Sequence, residues 1–172
     1  VAPSRGLGDV YKRQPEDCRL ALSEHFFSSV FLYEHQKQGV ERVYRVLSDA
    51  GIPHVFFKGA ILKELYPVPE CRLMGDIDLL INPANRQAAK KALMSSGFAC
   101  TAQNGPVYDY RKGDVLLEVH TALISDDPRC ETAFANAMDQ AQFEGCCGKL
   151  EDNYHFAYLI AHLAHHFRFY GA

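Results

Sequence analysis

Asp76-Ile77-Asp78 is the pair of carboxylates whose type and spacing point most directly to chemistry in this chain. Side chains alternate across a strand, so two residues two positions apart project from the same face. Set among Ile77, Leu79 and Leu80, two carboxylates there repel each other unless a cation sits between them. Magnesium suits such a place, because this hard ion is held by one or two carboxylates while substrate phosphates complete its octahedron. By itself the motif says little. With eleven Asp in 172 residues, about one Asp-x-Asp is expected by chance.

The neighbouring residues add to it. Lys58-Gly59-Ala60 follows the apolar run His54-Val-Phe-Phe57 and opens a helical stretch. A glycine there lets phosphate approach the backbone, and a helix N-terminus favours anions. Downstream, Leu116-Leu-Glu-Val-His120 puts a third carboxylate, Glu118, within an apolar strand, a costly position unless the group is paired, exposed or bound to metal. Three acids on neighbouring strands facing a glycine turn form a layout for two cations and a triphosphate. Lys58 and Arg72 are the nearest cations in sequence: lysine offers a point charge, arginine a bidentate grip on phosphate. For both, a structural or solvated ion pair is the competing reading. His120 lies on the strand face of Glu118 and reads as an outer partner of the carboxylates, a substrate contact or a structural histidine.

Near the C-terminus, His155, His162 and His166 recur at i, i+7 and i+11, one stripe of a helix. His162 and His166 have the i, i+4 spacing of paired zinc ligands, but no Glu follows His162, so the H-E-x-x-H pattern is absent. A polar helix edge or a wall of the active-site cleft is the preferred reading. Cys18, Cys71, Cys100, Cys130, Cys146 and Cys147 contain no C-x-x-C pair and read as free thiols of a reducing cytoplasm.

The elements that must position these groups follow from periodicity and stop signals. Amphipathic helical spacing runs through residues 16–31 and again through Val40, Val43, Tyr44 and Leu47, closed by Gly51 and Pro53. Strands are expected at His54–Phe57, Asp76–Ile81, Phe98–Thr101, Val107–Arg111 and Val115–His120, the last two joined through Lys112-Gly113-Asp114. Helices are expected at Ile61–Tyr66, Ala84–Ser96, Pro128–Phe143 and Asp152–Phe169, with a loop over residues 145–148. This is an α+β layout, a small mixed β-sheet packed against helices. Residues 1–14 lack periodicity and read as a non-native or disordered leader, 15–150 as one catalytic-type domain with N-terminal helices, and 151–172 as the start of a truncated C-terminal helical region.

Composition narrows the classes further. Hydrophobic residues make up 48% of the chain, enough for a substantial core. A net charge of -3 offers no duplex nucleic-acid footprint. No apolar run approaches the ~20 residues of a membrane span and no signal peptide opens the chain, so a cytoplasmic protein is expected.

Three blocks carry a family resemblance: Phe57-Lys-Gly-Ala-Ile-Leu-Lys-Glu-Leu-Tyr66, Cys71-Arg-Leu-Met-Gly-Asp-Ile-Asp-Leu-Leu-Ile81 and Leu117-Glu-Val-His120. Together they resemble the uncharacterised nucleotidyltransferase family of the polymerase-β superfamily, and His162-Leu-Ala-His-His-Phe167 is similar to the same family. The resemblance implies a polymerase-β-like nucleotidyltransferase core and transfer of an NMP from an NTP to an acceptor hydroxyl, with release of pyrophosphate. It implies two Mg2+ (or Mn2+) ions held by Asp76, Asp78 and Glu118, with the phosphates on Lys58, Gly59, Ala60 and Arg72. Ala60 stands where a Gly-Ser turn would carry a hydroxyl, so phosphate would rely on backbone amides there. The acceptor is left open between a small molecule, tRNA and a protein. Two alternatives are a non-catalytic nucleotide- or protein-binding module of the same fold, and a metal-dependent hydrolase using the C-terminal histidines.

Overall fold

The computed structural model describes residues 15–72, 74–123 and 128–170. The expected leader, residues 1–14, lies outside them. The chain enters as one 34-residue helix, α1 (Glu16–Asp49), where periodicity had suggested two separate stretches. No proline interrupts residues 32–39, and Gly39 is there for packing: a Cβ would stand 3.0 Å from Val115 Cγ1 and 3.1 Å from Ile77 Cδ1. The helix ends as expected at Gly51, whose φ of +66° suits a residue without a Cβ.

Next come β1 (His54–Phe57), the short α2 (Gly59–Leu62) and a 3-10 turn at Lys63–Leu65. They are followed by β2 (Ile77–Ile81), α3 (Arg86–Ser95), β3 (Ala99–Asn104), β4 (Val107–Lys112) and β5 (Val115–His120). The chain closes with α4 (Pro128–Phe134), β6 (Ala141–Glu144), β7 (Cys147–Leu150) and α5 (Asp152–Tyr170). The seven strands form one mixed sheet in the order β3-β4-β5-β2-β1-β7-β6. Its centre is antiparallel between β1 and β2 and parallel between β2 and β5, and β7 adds in parallel to β1.

The expected helix over Pro128–Phe143 is corrected: it stops at Phe134, and the expected loop over 145–148 is instead part of the β6–β7 hairpin. Gly145 turns that hairpin at φ +61°, and Gly148 leaves room for the Phe143 ring, which a Cβ would meet at 2.7 Å. Pairing with β1 supplies backbone partners that a polar, helix-permissive sequence does not reveal.

Alternation sorts the sheet's side chains into two cores. Ile77, Leu79, Ile81, Leu117 and Val119 pack with Val43 and Leu47 of α1 and Ala89 and Leu93 of α3. Val55, Phe57 and Leu80 face the other way and pack with Leu123, Phe134, Leu150 and Tyr158. Every residue of β1 and β2 is buried, as expected for central strands covered on both sides. The result is the α+β arrangement of a mixed sheet packed against helices. It carries the order expected of the polymerase-β-like core: strand, glycine turn opening a helix, then acidic strand.

Candidate active site

The parallel register of β2 and β5 places Asp78 beside Glu118 and Leu80 beside His120. Lateral neighbours share a face, so Asp78, Glu118 and His120 all point to the side covered by α5, at the edge of the second core. Phe57, the last residue of β1, pairs with Asp78. The turn that follows it, Lys58-Gly59, is thereby delivered to the same place.

Asp78 is 2% exposed and is held by two donors through Oδ1: Lys58 Nζ at 2.7 Å and His120 Nε2 at 3.1 Å. His120 Nε2 also lies 3.3 Å from Glu118 Oε2. Burial disfavours the charged imidazole, but bonds to Asp78 and Glu118 outweigh it and raise the affinity of His120 for its proton. The bond from His120 in turn holds Glu118 below its ordinary range against the opposing effect of burial. Asp76 behaves oppositely. Burial, reinforced by the Asp78 and Glu118 charges, pushes its carboxyl up to about 6, with Lys58 pulling the other way.

All three acids line one cleft of about 420 Å³, together with Lys58, Gly59, Arg72, His162 and His166. Ala60, also expected at the phosphate, sits in the first turn of α2 beside Gly59, half-buried against the first core. The Arg72 guanidinium lies over the Tyr66 ring, its Cζ 5.7 Å from the centroid. Gly59 has a packing duty that the sequence did not show: a Cβ would meet Met74 Cγ at 2.7 Å and Sδ at 2.9 Å. Met74 is tethered in turn by a hydrogen bond from Gln36 Nε2 of α1 to its carbonyl oxygen. The unusual backbone conformation of the turn falls on Lys58, at φ +49°, rather than on the glycine.

Helix α5 reaches the cleft because Tyr158 is buried between Phe57, at 5.8 Å between ring centroids, and Phe134, at 5.4 Å. The stripe His155, His162, His166 therefore faces the site. His162 and His166 approach each other to 3.0 Å between Nε2 atoms. Burial and the nearby Lys58 charge push His162 down to about 4. His155 Nε2 accepts the backbone N–H of Lys58 at 3.0 Å, a contact across 97 positions that periodicity could place on the right helix face but not against this turn.

The donor set fits a hard divalent cation. Asp78 and Glu118 offer carboxylate oxygens and His120 a ring nitrogen within 4.8 Å of one another, and Asp76 lines the same cleft. Among the described residues this is the one cluster of three such groups, and it does not include the α5 histidines. All six cysteines are free. No described helix is long and apolar enough to cross a membrane.

A search of curated protein sequences gives no match. Two solved structures of the antibiotic-resistance factor ANT(2'')-Ia align with part of the fold. The solution structure is 16% identical, covers 48% of this chain and 44% of that one, and has a TM-score of 0.42. The crystal structure in complex with adenylyl-2''-tobramycin is 19% identical, covers 54% of this chain and 53% of that one, and has a TM-score of 0.46. The chain thus spans about half the length of these structures. A family model described as "uncharacterised nucleotidyltransferase" matches residues 7–171, nearly the whole chain, and the chain belongs to that family.

Proposed function

We propose that this protein transfers a nucleoside monophosphate from an NTP to an acceptor hydroxyl, releasing pyrophosphate. The observation that carries the reading is the gathering of Asp76, Asp78 and Glu118 along one cleft wall, beside the turn Lys58-Gly59. Asp76, Asp78 and Glu118 would hold two Mg2+ (or Mn2+) ions. When bound, such ions neutralise phosphate charge and lower the pKa of the attacking hydroxyl.

The chain's own groups do the rest. Gly59 and Ala60, at the start of α2, would meet the phosphates through backbone N–H groups, and Arg72 from the cleft wall through its guanidinium. Lys58 would exchange Asp78 for a phosphate oxygen when nucleotide arrives. His120 holds the Asp78 carboxylate by a hydrogen bond and stands 3.3 Å from Glu118 Oε2, so that the two acids need not reorganise when charge enters the cleft. Glu118, held below its ordinary range by His120, would ligate an ion and would also accept the acceptor's proton. Positioning and charge neutralisation account for most of the acceleration in phosphoryl transfer. The acceptor is a small molecule, a tRNA end or a protein side chain. The free thiols and the NTP substrate suit a cytoplasmic setting.

The test is pyrophosphate release from each of the four NTPs with Mg2+ or Mn2+ in the presence of a cell extract, wild type against Asp78→Asn. Metal-dependent release should be lost in the variant by at least about a hundredfold. Full activity of Asp78→Asn refutes the assignment. Binding of NTP and metal with no product over hours would favour the non-catalytic module instead.

A further inference from the structure

Lys58 is the only non-glycine residue with positive φ among the described residues, at φ +49° and ψ −122°. That pair of angles belongs to the first central position of a type II′ turn, where glycine prevails because a Cβ crowds the backbone. A lysine there is strained, and such strain persists only where the surroundings hold it. The side chain gives the reason for tolerating it: from this position the ammonium reaches Asp78 Oδ1 at 2.7 Å.

What holds the backbone is the bond from Lys58 N–H to His155 Nε2, 3.0 Å long. His155 is 8% exposed, and the bond is partly buried. It sits in the first turn of α5, its own N–H donating to the Glu151 carbonyl at 2.9 Å. One turn on, Tyr158 locks the helix onto Phe57, the residue preceding the strained lysine. The imidazole therefore approaches the turn from a fixed support. Accepting at Nε2 requires its proton to reside on Nδ1.

We propose that His155 is a positioning residue for the phosphate turn: by accepting the Lys58 N–H, it holds Lys58 in the strained conformation that aims its ammonium into the acidic cleft and keeps Gly59 in the cleft wall. The kinetic consequence rests on the nucleotidyl-transfer reading; the structural consequence does not. An acceptor atom at this point is what matters. Glutamine can place an oxygen near the position of Nε2, asparagine falls short of it, and leucine has none.

The experiment compares the full chain with His155→Gln, His155→Asn and His155→Leu by amide hydrogen exchange at Lys58, and by titration calorimetry with Mg2+ and a non-hydrolysable NTP. Loss of the bond should speed exchange at the Lys58 amide about tenfold or more in the Leu variant and weaken nucleotide binding by a similar factor, corresponding to one net hydrogen bond. The Gln variant should stay within about threefold of wild type in both, the rescue expected of a retained acceptor. In turnover, the Leu variant should raise KM for NTP more than it lowers kcat. If the Leu variant does not fold, Asn serves in its place and should show a clear loss relative to Gln, because its side chain falls short of the Nε2 position. Unchanged Lys58 exchange in the Leu or Asn variant overturns the proposal, as does equal damage from Gln and Leu, which would mark His155 as packing alone. Should wild-type protein bind no Mg2+–nucleotide, the catalytic reading fails while the exchange comparison still decides the role of His155.

Discussion

Lys58→Met should tighten the binding of bare Mn2+ while weakening that of the metal–nucleotide pair. In the structure Lys58 Nζ is 2.7 Å from Asp78 Oδ1, on a side chain 16% exposed facing one only 3% exposed. At an effective dielectric of ~20, unit charges this close attract by roughly 6 kcal/mol. Desolvation and solvent screening reduce the net worth of such a charge-assisted bond to about 1.5–3 kcal/mol. A metal ion seeking Asp78 without nucleotide must displace that ammonium or tolerate it as a like charge. Methionine removes the competitor while keeping the length of the side chain, so affinity for Mn2+ alone should rise by roughly 10–100-fold. With nucleotide present the sign reverses, because the lysine then has a phosphate oxygen to neutralise. Electron paramagnetic resonance of free Mn2+ measures the first quantity, and calorimetry with Mn2+ and a non-hydrolysable NTP measures the second. Unchanged or weaker affinity for Mn2+ alone would show that Lys58 is not the internal counter-ion of the site, and would refute the reasoning.

Two further outcomes follow from groups away from the acids. His54 is fully buried, its Nδ1 2.8 Å from the Ile52 carbonyl oxygen while Nε2 has no partner, and burial pushes it below its ordinary value of 6.5 against the pull of that carbonyl. The unfolded chain therefore takes up protons that the folded one refuses, so stability present above about pH 6.5 is lost as pH falls below it. His54→Phe should flatten the decline of Tm between about pH 7.5 and 5.5, and an unaltered slope would assign that decline elsewhere. His155 and His162 are lowered in the same direction, also chiefly by burial, so some dependence should remain. Tyr158→Ala opens a cavity between Phe57 and Phe134, and urea denaturation should report a loss of about 3–5 kcal/mol. A loss below ~1 kcal/mol would mean that α5 is not anchored there.

The acids and the strands that bear them were legible from the sequence because their signals are local. Alternation in residues 76–81 and 115–120, a glycine after an apolar strand, and buried carboxylates needing partners are all short-range patterns. They gave the face of Glu118 and His120, the acidic strand and the fold class. The single helix α1 and the β6–β7 hairpin were not legible in the same way. The first depends on Gly39 fitting against Val115 and Ile77, and the second on β1 offering an edge to Cys147 and Gly148.

What only the tertiary structure decided was which distant groups meet. The sequence placed His155, His162 and His166 on one helix stripe, and that stripe exists. Nothing local could say that Tyr158 would seat the helix on Phe57 and so bring His155 to the backbone of Lys58. Likewise, the sequence marked Gly59 as the special residue of the turn, yet the strain falls on Lys58, because the ammonium is needed at Asp78 and a side chain from another element holds the backbone in place. Hydrophobic period and residue type set each element and its buried face; register and helix docking set the distances between them, and it is those distances that turn three scattered acids, a lysine and a histidine into one site.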